Sequence, residues 1–101
     1  MTVPDSVSIV GGGIGGLSAA CHLADAGADV TLFEQHDDLG GVAGSFASGG
    51  FRFDSGPSWY LMPEVFERFF ESFGTSVDAA YELERLDPSY RVFWKDGDRL
   101  D

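Results

Sequence analysis

The hydrophobic pattern opens with a short β-branched run at residues 6–10 that stops abruptly at Gly11, Gly12 and Gly13. Such a run predicts a parallel strand buried on both faces. Ile14, Leu17, Ala20, Leu23 and Ala24 then recur at helical spacing, so a helix is expected over residues 14 to about 26, with Gly27 as its stop. Residues 30–33 are the second expected strand, closed by Glu34.

A polar turn leads to a second glycine pair, Gly40 and Gly41. Residues 45–53 follow, where Ser48, Gly49 and Gly50 separate two extended pieces of an expected hairpin. Pro63 suits the first turn of another helix, with an apolar face of Val65, Phe66, Phe69, Phe70 and Phe73 and an end at Gly74. Glu64, Glu67, Arg68 and Glu71 fall mostly on its other side. Residues 90–95 read as a strand, and Asp96-Gly97 favours a tight hairpin turn into a return strand.

Composition narrows the class. At 101 residues with 44% hydrophobic and 14% aromatic content, the chain is globular and of single-domain size. Acidic residues outnumber basic ones 17 to 6, a formal charge of −11. Such a surface repels phosphate backbones and anionic lipid headgroups, which argues against nucleic acid and against electrostatic membrane docking. Self-repulsion of this size is relieved by concentrated salt and points to a salt-rich cytoplasm, with an ordinary acidic protein as the alternative. A lone cysteine, Cys21, rules out an intrachain disulfide and fits a reducing compartment. With neither a signal-peptide pattern near Met1 nor an apolar window approaching about 18 residues, a cytoplasmic location is expected.

The chemistry lies in the first glycine segment. Gly11, Gly13 and Gly16 form G-x-G-x-x-G between an expected strand and an expected helix, the context that distinguishes a dinucleotide site from a chance cluster. The first glycine makes the tight turn, the second lets backbone approach a pyrophosphate, and the third lets the helix pack closely. Unpaired amides of Ile14, Gly15, Gly16 and Leu17 are expected to face the phosphates at the favourable end of the helix dipole. Glu34 stands where a carboxylate accepts hydrogen bonds from a ribose diol and repels a 2′-phosphate. The fold class expected is α/β, a Rossmann-like βαβ unit. These residues alone do not decide between NAD and FAD.

Beyond Glu34, the pair Gly40-Gly41 resembles the flavin amine oxidase and phytoene desaturase superfamily, whose members carry a glycine pair at this offset. A loop without side chains there lets backbone amides approach a cofactor from a second direction. The stretch from Phe51-Arg52-Phe53-Asp54-Ser55-Gly56-Pro57-Ser58-Trp59-Tyr60 to Pro63 and the Phe-rich helix, with Tyr90-Arg91-Val92-Phe93, is similar to the amino-terminal part of phytoene-desaturase-type carotenoid desaturases. Many relatives have arginine after the glycine pair; this chain has Val42, which leaves anchoring there to backbone amides.

The resemblance implies FAD as cofactor and an apolar polyene as substrate. Hydride would pass to the flavin and a proton would leave the adjacent carbon as a C=C bond forms. It also implies a cofactor contact near the flavin at Asp54 and Gly56, although an aspartate beside glycine is equally a simple turn. Peripheral membrane contact is implied only through parts outside this chain. Residues 1–58 are expected to begin the FAD domain and residues 59–101 a substrate region. Trp59, Tyr60 and the phenylalanine stripe could face a substrate, but core packing is the stronger reading. His22 and His36 lack partners at ligand spacing, so no metal is expected; no general base is evident, and the catalytic residues are left unassigned. The same FAD module also serves amine oxidases, protoporphyrinogen oxidases and carotenoid isomerases. A third alternative is a truncated chain without activity, since an open α/β fold needs a third parallel strand that is not evident here.

Overall fold

The computed structural model describes residues 2–101. The chain divides into two compact units, Met1–Leu61 and Met62–Asp101.

In the first unit, β1 (Ser6–Val10) pairs in parallel with β2 (Asp29–Phe33), and α1 (Ile14–Asp25) joins them and packs on both. The helix stops where glycine permits it. Gly27 takes φ 101°, its amide reaches the Ala24 carbonyl at 3.0 Å, and the Ala28 amide reaches the Leu23 carbonyl at 3.0 Å. This pair of bonds satisfies the last carbonyls of the helix and drops the chain into β2, burying Ala28. In register, Val7 faces Val30 and Ile9 faces Leu32, and these four half-buried side chains form the face under α1.

The opposite face is open, so the expectation that β1 is buried on both sides does not hold within this chain. Ser6, Ser8, Val10, Asp29, Thr31 and Phe33 all point away from α1, with Val10 88% and Phe33 55% exposed. The physical reason is topological: among the described residues only two strands make this sheet, and one helix can cover only one of its faces.

The hairpin forms as the pattern expects. Strands β3 (Ser45–Ser48) and β4 (Phe51–Asp54) run antiparallel. Gly49 and Gly50 both have positive φ, 58° and 83°, as the favoured two-residue turn requires. Phe46 and Phe53 stack directly across the strands with ring centroids 5.2 Å apart, a contact of about 0.5–1.5 kcal/mol beyond simple burial. Arg52 donates from Nε and Nη2 to Ser45 Oγ at 3.2 and 3.1 Å.

In the second unit, α2 (Pro63–Glu71) starts with proline in its first turn, and Gly74 at φ 73° ends its last turn. The short helix α3 (Val77–Ala80) is an element the sequence pattern did not announce. Ser76 caps it, accepting from the Ala79 amide at 3.2 Å. The phenylalanines Phe66, Phe69, Phe70 and Phe73 are half-buried, short of the core burial expected of them. Phe69 meets Phe70 and Phe73 edge-on at 5.5 and 5.0 Å, and Phe70 meets Tyr81 at 5.8 Å.

The strand expected over residues 90–95 shortens to β5 (Val92–Phe93), paired with β6 (Arg99–Leu100). The connection is a longer loop than the tight turn expected: the Gly97 amide donates to the Trp94 carbonyl at 3.1 Å, and the Trp94 amide to the Asp98 carbonyl at 2.9 Å. Gly97 alone holds the left-handed position, φ 93°. Arg91 and Asp101 clamp the far end as a two-pronged ion pair. No helix among the described residues is long and apolar enough to cross a membrane.

With Ala28 and Val77 the only buried apolar residues described, the 101-residue chain by itself is expected to melt over a broad range and to bind a hydrophobic dye before melting. Circular dichroism and dye fluorescence check this; a sharp two-state transition without dye binding is the contrary result.

Candidate functional site

The site gathers at the carboxyl end of the two parallel strands, where open α/β sheets receive ligands. Gly11 extends the ladder one step past β1, its amide donating to the Phe33 carbonyl at 2.7 Å, and turns the chain with φ 105°. Gly13 then sits just before α1 in an extended conformation, and its carbonyl accepts from the Leu17 amide at 2.9 Å. Leu17 is thus engaged, and the amides ahead of the first intrahelical bond are those of Ile14, Gly15 and Gly16. No acidic residue stands in the first turn of α1, so the positive end of its dipole has no compensating side chain.

Gly16 lies against the turn it follows. A Cβ there would overlap the Gly11 carbonyl and stand 3.5 Å from Ile9 Cγ2. The close packing expected of this glycine is therefore first a contact with the glycine turn and only second with the strand. Gly15 faces open space, and a Cβ on Gly13 would meet nothing nearer than the Gly41 Cα at 3.9 Å.

Glu34 reaches back from the end of β2 to the glycine turn. Its Oε1 accepts from the Gly12 amide at 2.9 Å, and its Oε2 accepts from the His36 amide at 3.2 Å. Each carboxylate oxygen retains a further lone pair, which leaves an acceptor pair for a diol. The Gly12 and His36 amides, aided by the nearby His36 side chain, hold the Glu34 carboxyl below the ordinary glutamate value.

The second glycine segment is docked on the first. Gly40 (φ 116°) donates its amide to the Gly12 carbonyl at 2.8 Å and bridges Gly13 in parallel fashion. Gly41 (φ 58°) leads into a single 3₁₀ turn, η1 (Gly41–Ala43), and a Cβ on it would stand 3.1 Å from the Gly13 Cα. The first amide of this pair is spent on the Gly12 carbonyl. Beyond η1 the Ser55 amide donates to the Gly44 carbonyl at 3.0 Å, and a Cβ on Gly56 would overlap the Val42 carbonyl. Gly56 is thus glycine because backbone lies against it. Val42 exposes its side chain, and Asp54 ends β4 exposed, opposite Ser45.

The structure therefore brings Gly11, Gly13, Ile14, Gly15, Gly16, Glu34, Gly40 and Gly41 together, with Gly56 reaching them through η1. Position 12, which the motif leaves unconstrained, is the residue sequence reasoning passed over: Gly12 is buried and bonds both Glu34 and Gly40. Its only signal in the sequence is a third glycine where none is required.

Because the folded-state value of Glu34 is depressed, its contribution to stability is fully present above the ordinary glutamate value and is lost as pH falls through the lowered one. A carbon-detected NMR titration of the Glu34 carboxyl is expected to find its midpoint below that of a glutamate in an unstructured peptide.

The chain is 64% identical over 97 residues to a carotenoid 3,4-desaturase of Haloarcula japonica, covering 96% of this chain and 20% of that protein. It is 46% identical over 97 residues to a phytoene dehydrogenase of Streptomyces griseus, covering 96% of this chain and 19% of that protein. The chain thus spans about a fifth of the length of these curated relatives. Among solved structures, a crystal structure of a CLA-producing fatty acid isomerase from P. acnes superposes with a TM-score of 0.59 at 28% identity, over 77% of this chain and 19% of that one. The sequence profile of the NAD(P)-binding Rossmann-like domain matches residues 9–73, from within β1 through both glycine segments to the end of the Phe-rich stretch. That match spans β1, the glycine turn, α1, β2 and Glu34, and the chain belongs to the NAD(P)-binding Rossmann-like domain family.

Proposed function

We propose that this chain is the nucleotide-holding part of an FAD-dependent carotenoid desaturase, an oxidoreductase that forms C=C bonds in an apolar polyene. The observation that carries this reading is the 64% identity to the Haloarcula japonica protein named as a carotenoid 3,4-desaturase, which extends over 97 residues and so through both glycine segments, the acid and the hairpin. The donor set suits a dinucleotide on independent grounds. The uncompensated amino end of α1 presents the amides of Ile14, Gly15 and Gly16 to a pyrophosphate, and Glu34 offers acceptors to the adenosine ribose. We assign Gly11, Gly13 and Gly16 to the turn and packing around that pyrophosphate. Gly40 and Gly41 buttress it, and Asp54 and Gly56 lie on the path towards the flavin.

FAD, when bound, supplies the acceptor for the hydride that leaves the polyene. The residues of this chain hold and orient it, and no catalytic group is assigned among them. In this reading residues 1–58 open the FAD domain and residues 59–101 open the substrate region. The whole protein works in a salt-rich cytoplasm and touches the membrane peripherally to reach its apolar substrate. The charge of −11 and the Haloarcula relative both support the salt-rich setting. A second reading, an isomerase built on the same module, is favoured by the fatty acid isomerase superposition.

The full-length protein, purified in concentrated salt, is expected to carry a flavin absorption spectrum and to convert a polyene into a product lighter by a pair of hydrogens. A product of unchanged mass would favour the isomerase, and a colourless protein that binds NAD(P)H would overturn FAD. Replacing the acid, Glu34→Gln, is expected to weaken FAD binding about tenfold or more, as removal of a charged hydrogen-bond acceptor does, and to lower the flavin-free melting midpoint as well, because the Gly12 and His36 amides lose their anionic acceptor.

A further inference from the structure

Gly12 is held on three sides. Its amide donates to Glu34 Oε1 at 2.9 Å, and its carbonyl accepts from the Gly40 amide at 2.8 Å. The place of its missing side chain is filled: a Cβ would stand 2.5 Å from Leu39 Cδ2, 3.1 Å from Leu32 Cδ2 and 3.4 Å from Glu34 Oε1. Its φ is not positive, so backbone conformation by itself does not call for glycine. The constraint is space alone, and the atoms that set it are the leucine ends above and the carboxylate beside it.

We propose that Gly12 is a positioning residue for nucleotide binding, acting through Glu34: its bare Cα lets Leu39 close over the turn and lets the carboxylate seat on the Gly12 amide. The inference rests on the dinucleotide reading of the site and adds a residue outside the three motif glycines. A side chain at position 12 meets Leu39 first, because that contact is the tightest. Leu39 belongs to the segment leading into Gly40, so moving it loosens the Gly40 amide from the Gly12 carbonyl. A branched side chain also presses on Glu34 Oε1 and turns the carboxylate from the diol. An alanine displaces only the flexible end of Leu39, so the effect is graded with side-chain size.

The test is a set of variants in the full-length protein, read by the dissociation constant for FAD from flavin fluorescence. Overpacking of this kind predicts a loss of about fivefold for Gly12→Ala and about thirtyfold or more for Gly12→Val. Leu39→Ala, which removes the tightest contact, is expected to restore most of the Gly12→Ala loss. In a Glu34→Gln background, where the acid no longer acts, Gly12→Val is expected to cost only about threefold, because contacting residues are not additive. A loss of equal size in both backgrounds, or no restoration by Leu39→Ala, overturns the proposal. If Gly12→Val does not fold, the Gly12→Ala and Leu39→Ala pair decides alone.

If the parent protein takes NAD(P)H and not FAD, the FAD reading fails, while the same cycle run with that nucleotide still decides the role of Gly12. A cofactor-free measurement separates the two further. The NMR titration midpoint of Glu34, which also feels the charge of His36, is expected to rise towards the ordinary glutamate value in Gly12→Val, and an unmoved midpoint overturns the proposal.

Discussion

At the carboxyl end of β1, main chain lies against main chain with nothing between. Gly40 hydrogen-bonds the Gly12 carbonyl, Gly41 rests on the Gly13 Cα, Gly16 on the Gly11 carbonyl and Gly56 on the Val42 carbonyl. Three segments separated along the chain meet within this layer, and at Gly16 and Gly56 they can do so only because a Cβ is missing. Glu34 closes the layer from below by taking the Gly12 amide. The hydrogen-bonded layer, more than any apolar core, fixes the relative position of the helix end and the acid.

That dependence follows from how little the first unit buries. A two-stranded parallel sheet with a helix on one face covers half of its apolar surface, and such sheets are seldom stable with so few strands. The remaining order comes from local devices: the paired bonds that end α1 at Gly27, the Gly49-Gly50 turn with its stacked phenylalanines, and the Ser76 cap on α3. Each satisfies backbone groups within a few residues of itself, so little of this order depends on contacts distant in sequence.

This locality explains what was legible in the sequence. α1, β2, the first hairpin and α2 follow from apolar spacing and from glycine or proline at their ends, so their places are readable. The open face of β1 is not legible because a β-branched run reports what a strand needs, while the covering layer is a long-range property, and among the described residues α1 covers only one face of this sheet. The turn after β5 lengthened because Asp96-Gly97 also fits a loop with a single left-handed glycine, and pattern alone does not choose between the two. α3 escaped because four residues are too few to show a period. At the site, the motif names Gly11, Gly13 and Gly16; Gly41 and Gly56 are glycines because backbone faces them, and Gly12 because leucine ends and the Glu34 carboxylate do, neighbours that only the folded chain brings together.

The amino end of α1, with no acid in its first turn, lies in a segment of charge −11. At low ionic strength a dinucleotide would be repelled from a distance and attracted only on contact. Concentrated salt shortens the repulsion to about 3 Å and leaves the amide contacts intact. Capture of the anion would then quicken as salt is added, the reverse of the behaviour of a basic nucleotide-binding protein, so that dissolved cations would take the part that basic side chains play elsewhere.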